Sequence, residues 1–305
     1  MRRKIIKQGA ATLTVSLPAK WAKKLSIKPG HEVDVQEKGA ELIVSSSKAP
    51  AKKTITVEIS ANNRADIKPI LTHLYRRGFD TIVLNNVTSD VGKEITKITK
   101  DLLLGFEITE REGKQWKIAS ISEPTEDKYE VLLRRAFLII KETEELIFED
   151  FKKGTYSNEE QIENLRTQHD KFVLFCRRLI STSNQDQLLE WELLTFLMHI
   201  EHAYCYLYSY AADNKVKISD KTISLLENLE KYFQLFYDAY YKKNIQAIHE
   251  LNKRKKEFQF GKCHEALSQA KGKETVIISY LREIFRLVQI GSSPVLSELF
   301  EAQLE

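Results

Sequence analysis

Turn-forming residues cut the first 47 positions into pieces so short that one copy of this stretch cannot enclose a core. Gly9, Pro18, Pro29-Gly30 and Gly39 punctuate it. Lys4-Ile5-Ile6-Lys7 and Leu13-Thr14-Val15-Ser16-Leu17 read as strands, the second alternating with a period of two. Gly9-Ala10-Ala11 is a turn of small residues between them. Pro18 suits the first position of a helix, where its missing N–H is no loss. That helix continues to Leu25, with Trp21 and Leu25 one turn apart on an inward face. Residues 32–36 and 41–44 form a hairpin through Lys38-Gly39-Ala40. Strand, strand, short helix, strand, strand is too small a unit to stand alone, and no disulfide or metal helps it. A homodimer whose two copies share one core is the expected solution.

Charge sharpens this expectation. Arg2, Arg3, Lys4, Lys7, Lys20, Lys23, Lys24 and Lys28 fall in the first thirty residues, which contain no carboxylate. Residues 1–53 hold twelve Lys and Arg against four acids, a net of +8 within a chain of +4, which leaves −4 for the rest. Segregated positive charge points to a polyanionic partner, double-stranded DNA foremost. On the short helix, Lys20, Lys23 and Lys24 share one face, being three and four positions apart.

The order around Leu13-Thr-Val-Ser-Leu-Pro18, then Trp21 and Leu25, then Ile27-Lys28-Pro29-Gly30 with Val33 and Val35, resembles the AbrB/MazE/SpoVT family. The resemblance covers residues 1 to 46. It implies a swapped-hairpin β domain that dimerises by interleaving strands and binds DNA through basic residues of the first strand, the following loop and the short helix. Lys7 and Lys23 sit at matching offsets from Pro18. Thr14 stands where some members carry Arg, and Ala22 where some carry a second basic residue. With Arg2, Arg3, Lys4, Lys20 and Lys24, these cations form the expected DNA-binding set.

A polar linker with Pro50 spans residues 45–53. Beyond it, residues 53–122 read as β-α-β-α-β-β: strands at 54–59 and 81–84, helices around Ile67–Leu74 and 91–104, and a hairpin of 106–110 with 116–121. This predicts a small two-layer α/β domain without a Gly-rich phosphate loop. Pro124 closes it. Residues 124–305 carry apolar residues at helical spacing in six long segments, the third from about Asp186 and the last three near 219–243, 245–270 and 273–303. They predict an antiparallel bundle. Phe151-Lys-Lys-Gly154 and Tyr241-Lys-Lys-Asn244 echo each other at helix ends, suggesting two three-helix units. The whole is a multidomain α+β chain.

Leu132-Leu-Arg-Arg-Ala-Phe137, Asp170, Arg177-Arg178-Leu179 and Ile200-Glu-His-Ala203, with Arg286-Leu287 and Gly291 in the second half, resemble a PhoU-type bundle. The combined layout is that of archaeal phosphate-uptake-regulator-like proteins. It implies a partner in phosphate transport or signalling, such as a transporter ATPase or a sensor kinase. PhoU-type bundles bind metal through paired acids on the third helix of each repeat. Residue-wise matching puts Leu197 and Glu201, then Phe285 and Gln289, at those positions. Leu and Phe cannot ligate a cation, so the resemblance implies no working multinuclear site.

His199, Glu201 and His202 are the remaining metal candidates, since His at i and i+3 can share an ion; a polar patch or satisfied core histidines is the simpler reading. The tyrosines at 204, 206, 208 and 210 have a period no helix face satisfies, and with Phe233, Phe236, Tyr237, Tyr240 and Tyr241 they read as packing. The run Arg254-Lys255-Lys256 reads as a solvated face.

No GxSxG, HExxH or Walker loop occurs, so the expectation is a protein that is not an enzyme and needs no cofactor. Cys176, Cys205 and Cys263 are few and scattered, which fits buried thiols in a reducing cytoplasm. Neither a signal-peptide core nor the ~20 apolar residues of a membrane span is present. Two readings follow: a dimeric DNA-binding transcriptional regulator linked to phosphate uptake, or an adaptor of the phosphate-transport machinery that does not bind DNA.

Overall fold

The computed structural model describes residues 2–9, 11–39, 41–46, 52–60, 62–122, 127–182 and 187–301. Ala10 and Ala40 of the two hairpin turns, residues 47–51 of the linker, Pro124 and Asp186 at the expected start of the third long helix lie outside them. The chain divides into two compact units, Met1–Lys52 and Lys53–Glu305.

The first unit holds β1 (Ile5–Gln8), β2 (Thr12–Val15), α1 (Ala19–Lys24), β3 (Val33–Lys38) and β4 (Glu41–Ser46). β1 and β2 pair antiparallel, Ile5 opposite Val15 and Lys7 opposite Leu13. β3 and β4 do the same, with Val35 opposite Val44. The two hairpins are separate two-stranded sheets. Gly9 and Gly39 take φ of +73° and +57° at the hairpin turns, where a Cβ would be strained. Pro18 differs from its expected place: it precedes the first helical residue, with ψ at 121°, and its carbonyl accepts from Ala22 N at 2.9 Å. Its fixed φ of −61° holds the chain extended up to the point where α1 begins.

In the second unit, β5 (Thr54–Glu58), α2 (Ile67–Arg76), β6 (Thr81–Asn85), α3 (Ser89–Leu102), β7 (Phe106–Glu112) and β8 (Gln115–Ser120) build one sheet and its helices. The strand order is β5-β6-β8-β7, with β5 parallel to β6 and the other pairs antiparallel. Ile82, Leu84 and Ile118 alternate onto the face that α2 covers with Ile67, Leu71 and Tyr75, and α3 with Val91, Ile95, Ile98 and Leu102. This core is not confined to the sheet and its two helices, because Leu174, Phe175 and Leu179 of the helical region complete it.

The helical region comprises α4 (Asp127–Lys153), α5 (Glu159–Thr182), α6 (Leu188–Asp213), α7 (Asp220–Tyr241), α8 (Ile245–Glu257), α9 (Cys263–Gln269) and α10 (Glu274–Glu301). The single helix expected over 245–270 is divided by a π turn at Phe258–Lys262. Five-residue spacing lets both Phe258 and Cys263 face inward, and the amide of buried Gln259 donates to the Phe285 carbonyl at 3.4 Å. Phe137 of α4 sits among Phe233, Phe236, Tyr237, Tyr240 and Tyr241, at ring centroid distances of 5.4 to 6.1 Å. Gly291 allows α10 to approach α6, since a Cβ there would stand 3.0 Å from Phe196 Cβ.

One side chain fastens the sheet module to the helices. Arg178 of α5, 2% exposed, donates to the carbonyls of Tyr75 and Phe79 at 3.0 and 2.7 Å and pairs with Asp80 at 2.7 Å. Its guanidinium also lies over the Tyr75 and Phe106 rings. Every one of these contacts requires the helical region and the module together.

Candidate nucleic-acid interface

Arg2, Arg3, Lys4 and Lys7 run into and along β1, while Lys20, Lys23 and Lys24 lie on α1, and all seven are exposed. None forms an ion pair with a described residue. Arg3 Nη1 donates to Ser16 Oγ at 3.4 Å, which ties the basic arm to the residue following β2. Lys23 and Lys24 stand in the last turn of α1, where the helix dipole favours cations. Trp21, Ala22 and Leu25 take the half-buried side of that helix and leave the lysines to solvent.

The strands that carry these cations are unfinished. Cross-strand partners point the same way, so Ile5, Lys7, Leu13 and Val15 share one face of the first hairpin and Ile6, Thr12 and Thr14 the other. Ile5, Ile6, Leu13 and Val15 are 52–68% exposed, and Val35 and Leu42 of the second hairpin are comparable. No described residue of this unit with an assigned exposure is buried. Apolar surface of this kind marks an association face. Lys7 stands on it beside the Gly9 turn, at its end.

The metal candidates do not come together. His199 is exposed. Glu201 is fully buried and accepts from Thr143 Oγ1 at 2.8 Å. His202 bonds Asp170 at 2.8 Å. Leu197 and Phe285 are in the core. Among the described residues no group of three or more His, Cys, Asp or Glu is arranged to hold a metal ion. Of the tyrosines on α6, Tyr204 and Tyr208 are buried and donate to Glu144 and Asp150 at 2.6 Å, while Tyr206 lies outside beneath Arg166.

Sequence reasoning named Glu201 only as a metal candidate and missed the buried carboxylates Glu144 and Asp150. Burial pushes Glu144 up to about 8, against the Tyr204 hydrogen bond, and pushes Glu201 up to about 8, against that of Thr143. Asp150 goes the other way. Burial would raise it, but bonds from Tyr208, Asn158, Thr155 and Ser157 hold it below its usual range. The available signal was the i, i+4 spacing of Tyr204 and Tyr208, which puts two hydroxyls on one inward stripe and calls for acceptors opposite.

A small β clasp with exposed cations and uncovered aliphatic faces is the class of unit this geometry defines. Residues 6–54 match the family described as antidote-toxin recognition MazE, bacterial antitoxin, which supports an N-terminal swapped-hairpin domain of the MazE/AbrB type. No curated protein and no solved structure matches the chain. Among the described residues, no helix is long and apolar enough to cross a membrane.

Proposed function

We propose that the chain is a cytoplasmic, homodimeric DNA-binding regulator whose helical region answers to a signal. The observation that carries this reading is the coincidence, in one MazE-like unit, of exposed cations without a described ion-pair partner and aliphatic faces open to solvent, which a second copy would cover. Two interleaved copies present Lys7, Lys20, Lys23 and Lys24 twice over to the phosphates of a duplex. Eight such contacts give a log–log salt slope of about −7. Lysine neutralises phosphate better than it reads base edges, so discrimination comes mainly through DNA shape. Fluorescence anisotropy of a duplex across a salt series tests this, and a flat response overturns it.

The resemblance of residues 124–305 to PhoU-type bundles puts phosphate uptake first among the regulated pathways. Chromatin immunoprecipitation checks that assignment, with phosphate-transport promoters among the enriched fragments as the expected result. The description of the matched family, antidote-toxin recognition, favours a second reading in which the same dimer neutralises a toxin. A toxin co-purifying with the full chain, together with no retention on DNA, would select it.

A further inference from the structure

The four-stranded sheet of the second unit has two edges, and they are built differently. On β7 the edge carries Glu107, Glu110, Arg111 and Glu112, and its register against β8 shifts between Ile108 and Glu110. Charge and irregular register blunt a strand edge against further pairing. β5, at the other edge, has neither: Thr54-Ile55-Thr56-Val57 contains no charge and no proline, and its register against β6 is unbroken. The hydrogen bonds that bracket β5 fix which of its residues face outward. Thr81 N donates to Lys53 O at 3.1 Å and Ile59 N to Asn85 O at 3.0 Å, so the odd-numbered residues bond β6. The N–H and C=O of Thr54 and Thr56 therefore point away from the sheet, and both residues are exposed. The Glu58 carbonyl, next in this row, accepts from Asn63 Nδ2 at 2.8 Å.

Charge selects a register for this edge. Lys52 and Glu58 flank the uncharged stretch, both are exposed, and neither forms an ion pair with a described residue. The Glu58 carboxylate accepts from Asn85 Nδ2 and Asn86 Nδ2 at 2.5 and 3.0 Å, neutral donors that orient it without cancelling its charge. An antiparallel copy of the same strand, centred on Ile55, sets Thr54 opposite Thr56 and Lys52 opposite Glu58. Unlike charges placed opposite each other favour the pairing of two strands. In that register each Thr54–Thr56 pair exchanges the N–H···O bonds that β6 leaves unmade.

We propose that β5 is an interface for β5 of a second copy of this chain, the two strands pairing antiparallel about Ile55 so that two sheets become one. The proposal rests on the homodimer reading of the first unit. Residues 47–53 alone join β4 to β5, a span of at most about 30 Å. A dimer made by the first unit therefore keeps two β5 strands at high effective concentration. So short a ladder does not hold two untethered chains together. It is a second clasp that closes only when the first has closed.

Hydrogen–deuterium exchange of the full chain, resolved to single amides, tests this against Leu13→Glu, a variant aimed at the first clasp. In the parent the Thr54 and Thr56 amides should exchange roughly tenfold or more slowly than in Leu13→Glu, and sedimentation equilibrium should show a dimer. Thr56→Pro removes an N–H that β6 does not use, which an edge strand tolerates. It should remain dimeric while Thr54 loses its protection, and the Ile55 and Val57 amides, bonded to β6, report that the sheet stays folded. A dimeric parent whose Thr54 and Thr56 amides exchange as fast as in Leu13→Glu overturns the β5 interface and leaves the homodimer reading standing. A monomeric parent overturns both. Protection of Thr54 that persists in Leu13→Glu or in Thr56→Pro also overturns the interface, because something other than a tethered second copy would then cover the edge.

Discussion

In the N-terminal unit six aliphatic side chains are at least half exposed, whereas in the second unit even carboxylates are withdrawn from water. Glu144 and Glu201 are 2% and 0% exposed, each with one oxygen that has no partner, yet Ile5 and Leu13 are 67% and 68% exposed. The contrast is one of completeness. The second unit has enough chain to surround its own core, so it tolerates buried polar groups. The first has two hairpins and six helical residues, and none of its described residues with an assigned exposure is buried.

The largest test of this contrast strikes the exposed aliphatic face of the first unit. Leu13→Glu puts a charge on the aliphatic face of the first hairpin and should convert the proposed dimer wholly to monomer in sedimentation equilibrium. A dimer that survives would mean the exposed faces are not the association surface. Next in size, Phe137→Ala removes the ring at the centre of the aromatic cluster in the second unit. It should destabilise that unit by about 3–5 kcal/mol in denaturant unfolding, while leaving dimerisation intact. Loss of both together would erase the distinction between the units.

A smaller effect comes from the buried acids. Glu144 and Glu201 hold their protons up to about 8 when folded, against an ordinary value of 4.5. Between those limits the unfolded chain has released protons that the folded chain keeps, so stability falls as pH rises across the window. Glu201→Gln, which cannot ionise, should flatten part of that decline and stabilise the protein most near pH 8. Chemical denaturation at several pH values measures it; an unchanged slope would show the carboxyl to be ionised in the fold. The smallest expected change is that of Lys23→Ala. It removes one phosphate contact per chain and should reduce the steepness of the salt dependence by about 2 per dimer without altering sequence preference.

Much of the architecture could be read from local chemistry. Gly9 and Gly39 mark turns because only glycine accepts their backbone without strain. Ile82 and Leu84 mark a buried strand by alternation, and the apolar spacing of 127–182 marks two helices. The π turn at Phe258–Lys262 was not legible, because it answers to where Phe285 and Arg282 of another helix lie. Nor were the different fates of Arg177 and Arg178. Adjacent in sequence, they point to different sides of α5, one towards Trp191 and the other into the sheet module.

The sequence alone determined that the first fifty residues are cationic and turn-rich, since charge and residue type do not depend on folding. Tertiary structure decided which acids leave water, which arginine clamps the module and which stays half-satisfied beside Trp191. Those outcomes depend on which helices become neighbours, and a buried polar group is defined by what surrounds it.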